Sequence, residues 1–171
     1  MKKKVLFICT HNSARSQIAE GFLNALYGDQ YEAHSAGVEP TQINPDVVKV
    51  MSEIGIDVSK QHSKSIKAFH GITFDYVVTV CDHAKESCPF FPGEKNLHKN
   101  FEDPSSFKGG EDEILEQFRH VRDEIKNWIE RVFRIPINYN KVKSLILIET
   151  WLAILKLYPD SSINHFFVHY E

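Results

Sequence analysis

The chain lacks several features that mark whole classes of protein. Its 171 residues include only three cysteines, and no apolar run approaches the roughly 18 residues of a membrane helix. Three lysines at positions 2–4 precede an apolar run that is short and ends at Thr10, unlike a signal peptide. These absences predict a cytoplasmic protein that does not enter a membrane. Its thiols are then expected to be reduced rather than paired in a disulfide framework.

An excess of positive charge is also missing. Twenty Lys and Arg residues stand against 23 Asp and Glu residues, which gives a formal net charge of −3 at pH 7. Because nucleic-acid-binding domains usually carry a basic surface, no nucleic-acid partner is expected. The hydrophobic fraction of 42% suffices for the core of one α/β domain.

Apolar runs and helical periodicities alternate along the chain. The predicted strands lie at about 4–9, 31–35, 75–80 and 96–101. The predicted helices lie at about 15–27, between Asn44 and Gly55, and at about 112–133. This alternation predicts a three-layer α/β/α fold in which helices cover both faces of a four-stranded parallel sheet.

The end of the chain follows another pattern. A break near residues 134–140 precedes a further helical pattern at about 141–157, which Pro159 ends. We therefore expect an α/β domain over residues 1–133 and a C-terminal helical extension over residues 134–171. No residue of the extension forms a recognisable site.

The most informative stretch is the one from Cys9 to Ser16. Cys9 directly follows the first predicted strand, and the first helix begins near Arg15. Unpaired backbone N–H groups and the positive end of the helix dipole favour a tetrahedral oxyanion there. The same field predicts a pKa of the Cys9 thiol below its usual value of about 8.5. The planar guanidinium of Arg15 can hold two oxyanion oxygens at once.

A second cysteine, Cys81, comes directly after the third predicted strand. The carboxyl ends of parallel strands meet at one edge of the sheet, where ligands bind. We therefore expect Cys9 and Cys81 to lie on the same rim.

The stretch from Cys9 to Ser16, the pair Cys81 and Cys88, and Asp103-Pro104 together resemble the thioredoxin-coupled arsenate reductases. These enzymes share the fold of the low-molecular-weight tyrosine phosphatases. The resemblance covers roughly residues 3–133 and implies that this part of the chain is a catalytic domain of that fold.

The resemblance also implies a role for each residue. Cys9 attacks arsenate, and Asp103 is the general acid. Cys81 then attacks Cys9 and releases arsenite, and Cys88 attacks Cys81, which leaves a disulfide for thioredoxin or, alternatively, glutaredoxin to reduce. No cofactor is implied. The residues expected to bind the substrate form one loop: Thr10, His11, Asn12, Ser13, Ala14, Arg15 and Ser16.

The disulfide between Cys81 and Cys88 carries a geometric condition. Bridged Cα atoms must lie within about 7 Å. The short loop between the two cysteines would have to bend, or a helical turn would have to unwind, for the bond to form.

Two further roles follow from the resemblance. Ser16 is expected to hydrogen-bond the Cys9 sulfur, and Asn12 to hold the shape of the loop. Some relatives bind potassium near the residues that match Asn12, Glu20 and Ser35, with the help of an aspartate. Residues 61–65 offer no aspartate at the matching place, so no metal site is expected.

A phosphatase on the same fold is the first alternative. Cysteine, arginine and aspartate would serve phosphate monoesters equally well. Those phosphatases usually carry two tyrosines after the aspartate-proline pair, whereas this chain has Ser105 and Ser106.

A metal or oxyanion sensor that is not an enzyme is the second alternative. Zinc sites usually show two to four residues between paired cysteines. The six residues between the second and third cysteines fit that spacing poorly. The candidate ligands of such a sensor are Cys81, Cys88, His83 and His98.

Overall fold

The structure, a computed structural model, describes residues 1–82 and 91–134. Its strands are β1 (Lys3–Cys9), β2 (Tyr31–Gly37), β3 (Phe74–Thr79) and β4 (Gly93–His98). Its α-helices are α1 (Arg15–Tyr27), α2 (Pro45–Ser52) and α3 (Glu111–Phe133). Two short 3-10 helices span Ile66–Phe69 and Pro104–Ser106.

The four strands form one parallel sheet in the order β2-β1-β3-β4. β1 lies at the centre, and its residues from Val5 to Cys9 are buried, as a strand covered on both faces requires. Cys9 pairs with Gly37 of β2, and Ile8 pairs with Thr79 of β3. The predicted four-stranded parallel sheet is confirmed. The end of β1, where Cys9 lies, is flanked by the ends of both neighbours.

The position of β4 is the one strand prediction that was wrong, by three residues. β4 begins at Gly93, which pairs with Phe74, and the predicted range 96–101 covers only its second half. As an edge strand it is mostly exposed and polar, so it shows no apolar alternation. Phe101, the last residue of the predicted range, has left the sheet and packs against Trp128 in the core.

α3 is fixed to the sheet by an aromatic cluster at its last residue. The ring of Phe133 lies 5.3 Å from Tyr31, 5.5 Å from Tyr76 and 6.2 Å from Phe7, all in edge-to-face geometry. Each such pair contributes about 0.5–1.5 kcal/mol beyond the area it buries. Together these rings tie α3 to three neighbouring strands.

Residues 1–134 form one compact unit. Within the parts of the chain described above, no helix has both the length and the apolar character needed to cross a bilayer. The extension predicted from residue 134, with its helix at about 141–157, lies beyond the described residues apart from Arg134. The division into two parts stays a prediction.

Candidate functional site

The loop between β1 and α1 curls around the sulfur of Cys9. Its carbonyl oxygens accept hydrogen bonds from donors outside the loop. Because C=O and N–H point in opposite directions in a peptide, the loop N–H groups face inward. The amide of Asn12 accordingly donates to Cys9 Sγ at 3.1 Å. The outside donors are the amides of Val38 to Cys9 O (3.2 Å), Glu39 to Thr10 O (2.8 Å), Thr41 to His11 O (3.1 Å) and Asn44 to Ser13 O (3.0 Å).

The N-terminus of α1 adds to this inward-facing polarity. Its N-cap residue is Ala14, which offers no side-chain oxygen to the first amides, and the first turn carries no acidic residue. Free amides at a helix N-terminus bind anions. The loop and helix therefore present a cluster of N–H donors around the thiol.

The hydrogen bond expected between Ser16 and Cys9 is present, with Oγ 2.9 Å from Sγ. Burial nevertheless raises the pKa of the Cys9 thiol, against the lowering effect of the Ser16 hydroxyl, the Ser16 amide and the Arg15 charge. Burial is the largest of these effects, so the lowered pKa predicted from the helix position is wrong for this conformation. The prediction counted the helix field and omitted desolvation.

Asn12 holds the loop in shape, as expected. It has a φ of 49°, the left-handed region that asparagine tolerates better than most residues. Its side-chain nitrogen donates to Ser16 Oγ and to Ser35 Oγ, each at 2.8 Å. Its side-chain oxygen accepts from the Lys64 amide at 2.7 Å. Three hydrogen bonds therefore fix one strained residue.

Gly37 allows β2 to lie directly under the loop. A Cβ atom there would lie 2.9 Å from Thr10 O, the His11 carbonyl carbon and Asn12 N, all of which are backbone atoms. Backbone cannot give way as a flexible side chain can. Only glycine fits at this position without a shift of the loop.

A buried ion pair lies beside the loop. Lys64 Nζ is 3.3 Å from Glu20 Oε2, and the two side chains are 16% and 12% exposed. Ser35 donates a short hydrogen bond to the same carboxylate oxygen. Glu20 is thus balanced by an ammonium of the chain itself, so we assign no metal here. Lys64 carried no signal in the sequence, because it lies in a polar loop that only the fold brings to α1.

Arg15 spans the gap between the loop and Asp103. Its Nη1 donates to Phe101 O at 3.1 Å, and its Nη2 lies 3.1 Å from Asp103 Oδ2. Asp103 also accepts from the Ser105 amide at 3.0 Å, as the N-cap of the second 3-10 helix. Burial acts to raise the pKa of Asp103, but the Ser105 amide and the Arg15 charge outweigh it and lower the pKa below its ordinary value.

A small cavity of about 80 Å³ opens above Cys9. It is far smaller than the roughly 300–1,000 Å³ of pockets for drug-sized ligands, and its size suits a tetrahedral oxyanion. Thr10, Asn12 and Ser16 do not line it. The Thr10 hydroxyl contacts Cys81 instead, and the Asn12 side chain bonds to Ser16 and Ser35. The lining residues are Cys9, His11, Ser13, Ala14, Arg15, Asn44, Asp103, Pro104 and Ser105.

The structure brings Cys81 to the same rim as Cys9, as predicted. Thr10, which follows Cys9 in the chain, has its hydroxyl 3.5 Å from Cys81 Sγ. The preceding residue, Val80, donates its amide to Ile8 O at 2.9 Å and so ties this segment to β1. Both sulfurs are buried thiols. Cys88 lies outside the described residues, and its role stays a prediction.

The second alternative, a metal sensor, finds no support in residues 1–82 and 91–134. There, no three His, Cys, Asp or Glu side chains are grouped so as to hold a metal ion. Of its candidate ligands, His83 and Cys88 fall outside those ranges.

A parallel α/β domain with a cysteine-arginine loop after its first strand, faced by an aspartate, defines the class of low-molecular-weight phosphatases. The chain belongs to the family of low molecular weight phosphotyrosine protein phosphatases, whose sequence model matches residues 4–143. Within this family, the curated relatives that it resembles carry the name arsenate reductase.

An arsenate reductase of Halalkalibacterium halodurans is 46% identical over 125 residues, which span 72% of this chain and 90% of the relative. A solved arsenate reductase in its phosphate-binding state is 34% identical, with a TM-score of 0.64, over 77% of this chain and 96% of that one. A thioredoxin-dependent arsenate reductase of Corynebacterium glutamicum is 33% identical, with a TM-score of 0.55, over 76% of this chain and 61% of that one.

Proposed function

We propose that this chain reduces arsenate to arsenite through a relay of three cysteines. The observation that carries the proposal is the meeting of a second thiol, Cys81, with an oxyanion loop built around Cys9. Phosphate-ester hydrolysis needs the loop and an acid but no second thiol, whereas a two-electron reduction needs a further sulfur at the mouth of the loop. The resemblance of the chain to arsenate reductases supports the same reading.

The first step forms a bond between sulfur and arsenic. Cys9 is buried, so its thiol needs an acceptor for its proton. An arsenate dianion that enters the loop supplies one, and this transfer leaves the net charge of the pocket unchanged. The Cys9 sulfur then attacks arsenic, while Asp103 donates a proton to the departing oxygen, which leaves as water. The inward N–H groups and Arg15 stabilise the negative charge of the transition state.

The second step is an attack by a thiolate on the Cys9 sulfur that carries arsenic. The Cys81 sulfur attacks the Cys9 sulfur, an S–S bond forms, and the bond between sulfur and arsenic breaks. Its electron pair stays on arsenic, which becomes arsenic(III) and leaves as arsenite, and an arsenite oxygen takes the proton that Cys81 gives up. As in thiol-disulfide exchange, the attacking group must be a thiolate with access to the sulfur it attacks. The Thr10 hydroxyl, 3.5 Å from Cys81 Sγ, can donate to that thiolate.

The third step regenerates Cys9. Cys88 attacks Cys81, the Cys9 thiolate leaves, and a disulfide between Cys81 and Cys88 remains. An external dithiol then reduces this disulfide and is itself oxidised to a disulfide. Thioredoxin is the proposed reductant because a thioredoxin-dependent arsenate reductase resembles this chain. Glutaredoxin with glutathione is the alternative.

The test is a coupled assay in which thioredoxin, thioredoxin reductase and NADPH regenerate the enzyme during arsenate reduction. We expect sustained NADPH oxidation by the native protein and none by Cys9→Ser or Cys81→Ser. Cys88→Ser should release about one arsenite per chain and stop, with Cys9 joined to Cys81 in the mapped peptides. Sustained turnover by Cys88→Ser would refute the relay. Replacing thioredoxin with glutaredoxin and glutathione identifies the reductant.

Hydrolysis of phosphate monoesters is the second candidate function. The cavity that places Cys9, Arg15 and Asp103 together favours it, because phosphate and arsenate have nearly the same shape and charge. An aryl phosphate assay separates the two functions. Hydrolysis that survives Cys81→Ser and Cys88→Ser, in a protein that leaves arsenate unreduced, would establish the phosphatase in place of the reductase.

A further inference from the structure

We propose that His98, Asp82 and Asn100 form a clasp that positions Cys81 for its attack on Cys9. The inference rests on the proposed relay and adds positioning residues to its second step. We call these three side chains the rim clasp.

The rim clasp joins the ends of β3 and β4 through a chain of hydrogen bonds. His98 Nδ1 lies 2.8 Å from Thr79 Oγ1, and His98 Nε2 lies 3.0 Å from Asp82 Oδ1. The second carboxylate oxygen of Asp82 accepts from Asn100 Nδ2 at 2.5 Å. Both ring nitrogens and both carboxylate oxygens are therefore engaged.

The residues that the rim clasp holds lie on either side of Cys81. Thr79 pairs with His98 in the strand register, and Val80 is tied to β1 through its amide. Asp82 immediately follows Cys81, so the cysteine is held by a backbone bond on one side and by the clasp on the other. Its sulfur is thereby kept at the mouth of the loop, on Thr10 Oγ1.

The rim clasp is expected to add little to the stability of the fold. The Asp82 side chain is 60% exposed and that of His98 is 27% exposed. An exposed contact of this kind contributes little to the stability of the fold. Positioning has a larger effect, because an error of about 1 Å in the approach of reacting atoms can cost about 100-fold in rate. The Cys81 sulfur, which must approach the Cys9 sulfur, is subject to this requirement.

Among the described residues, the rim clasp makes no hydrogen bond or ion pair with Cys9, Arg15 or Asp103, so the first step should proceed without it. This separation gives the experiment an internal reference. The rate at which iodoacetamide alkylates Cys9, and its protection by inorganic phosphate, report on the folded oxyanion loop. The rate of arsenite release in a single turnover reports on the attack by Cys81.

The experiment uses the full chain with Cys88→Ser, which ends after one arsenite. Into this parent we introduce Asp82→Asn or His98→Ala, and His98→Gln as a conservative variant that keeps one donor. Glu94→Gln and Asn96→Ala are matched controls from exposed positions of β4. We expect about tenfold slower arsenite release with Asp82→Asn and His98→Ala, partial recovery with His98→Gln, and no change in the controls. Alkylation of Cys9 and its protection by phosphate should stay as in the parent.

Three results would overturn the rim clasp. Unchanged arsenite release in both variants would show that Cys81 needs no such support. An equal loss of release and of phosphate protection would indicate a role in the fold as a whole. If the parent itself releases no arsenite, the relay fails, and the clasp fails with it. Full release by the parent and by both variants would contradict the rim clasp and leave the relay intact.

Discussion

Arg15 and Asp103 form an ion pair across the mouth of the site, with Nη2 3.1 Å from Oδ2. Arg15 is buried, whereas the Asp103 side chain is half exposed. An oxyanion in the loop competes for the same guanidinium and brings negative charge close to the carboxylate. Both effects favour the protonated carboxyl. We therefore expect substrate binding to convert Asp103 from a partner of Arg15 into an acid that can donate its proton.

This relationship predicts the behaviour of Asp103→Asn. Asparagine keeps the size of the side chain and can still accept from the Ser105 amide, but it has no proton to donate as a general acid. We expect arsenate turnover to fall by about 100-fold or more, the usual contribution of general acid catalysis. Steady-state kinetics measure this fall. Glu102→Gln, an exposed neighbour, is the control and should keep the native rate. A native rate for Asp103→Asn would remove the acid role.

The same ion pair predicts a dependence of stability on pH. The pKa of Asp103 is lower in the folded protein than its ordinary value of about 3.9, so its ionised form stabilises the fold above that pH. The contribution is lost as the pH falls through the lowered pKa. Because the side chain is half exposed, it should stay below about 1 kcal/mol. Urea titrations measure it as the difference in unfolding free energy between the native protein and Asp103→Asn. A difference that grew towards low pH would contradict the ion pair.

Ser16→Ala is expected to raise the pKa of Cys9 further. The Ser16 hydroxyl lies 2.9 Å from the sulfur and lowers the pKa against the effect of burial. The rate of alkylation by iodoacetamide, followed against pH, should shift to higher pH in the variant. Ser63→Ala is the matched control, because that hydroxyl binds the His11 carbonyl and not the sulfur. A shift in the opposite direction would mean that Ser16 does not stabilise the thiolate.

Gly37→Ala is expected to disable the site and keep the fold. Its Cβ would lie 2.9 Å from three backbone atoms of the loop, so the loop must move. We expect a loss of about 1–3 kcal/mol in stability, typical of overpacking, and about 100-fold in arsenate turnover. Gly110→Ala serves as the control, because its Cβ would meet only Glu113 Oε2 at 3.9 Å, an ordinary contact. Phosphate protection of Cys9 against alkylation should weaken in Gly37→Ala alone.

Sequence patterns predicted the buried elements well and the exposed ones poorly. The predicted range of α1, 15–27, coincides with the helix found, whose first nine residues are all buried. β4 was predicted three residues too late, because an exposed edge strand carries no apolar pattern and its register is set by β3. The Glu20–Lys64 pair and the rim clasp likewise join residues that are far apart in the chain. No local pattern relates them.

The sequence by itself determined the chemistry that is available: a cysteine where a strand meets a helix, an arginine six residues later, and a distant second cysteine. Local preferences of backbone and side chain suffice for that, since strand, loop and helix are neighbours in the chain. Only the tertiary structure decided how the groups meet. It turned the loop amides inward through donors from the β2–α2 segment, paired Arg15 with Asp103, and set the burial that raises the pKa of Cys9. These properties depend on distances across the fold and on exclusion of water, which no stretch of the chain carries alone.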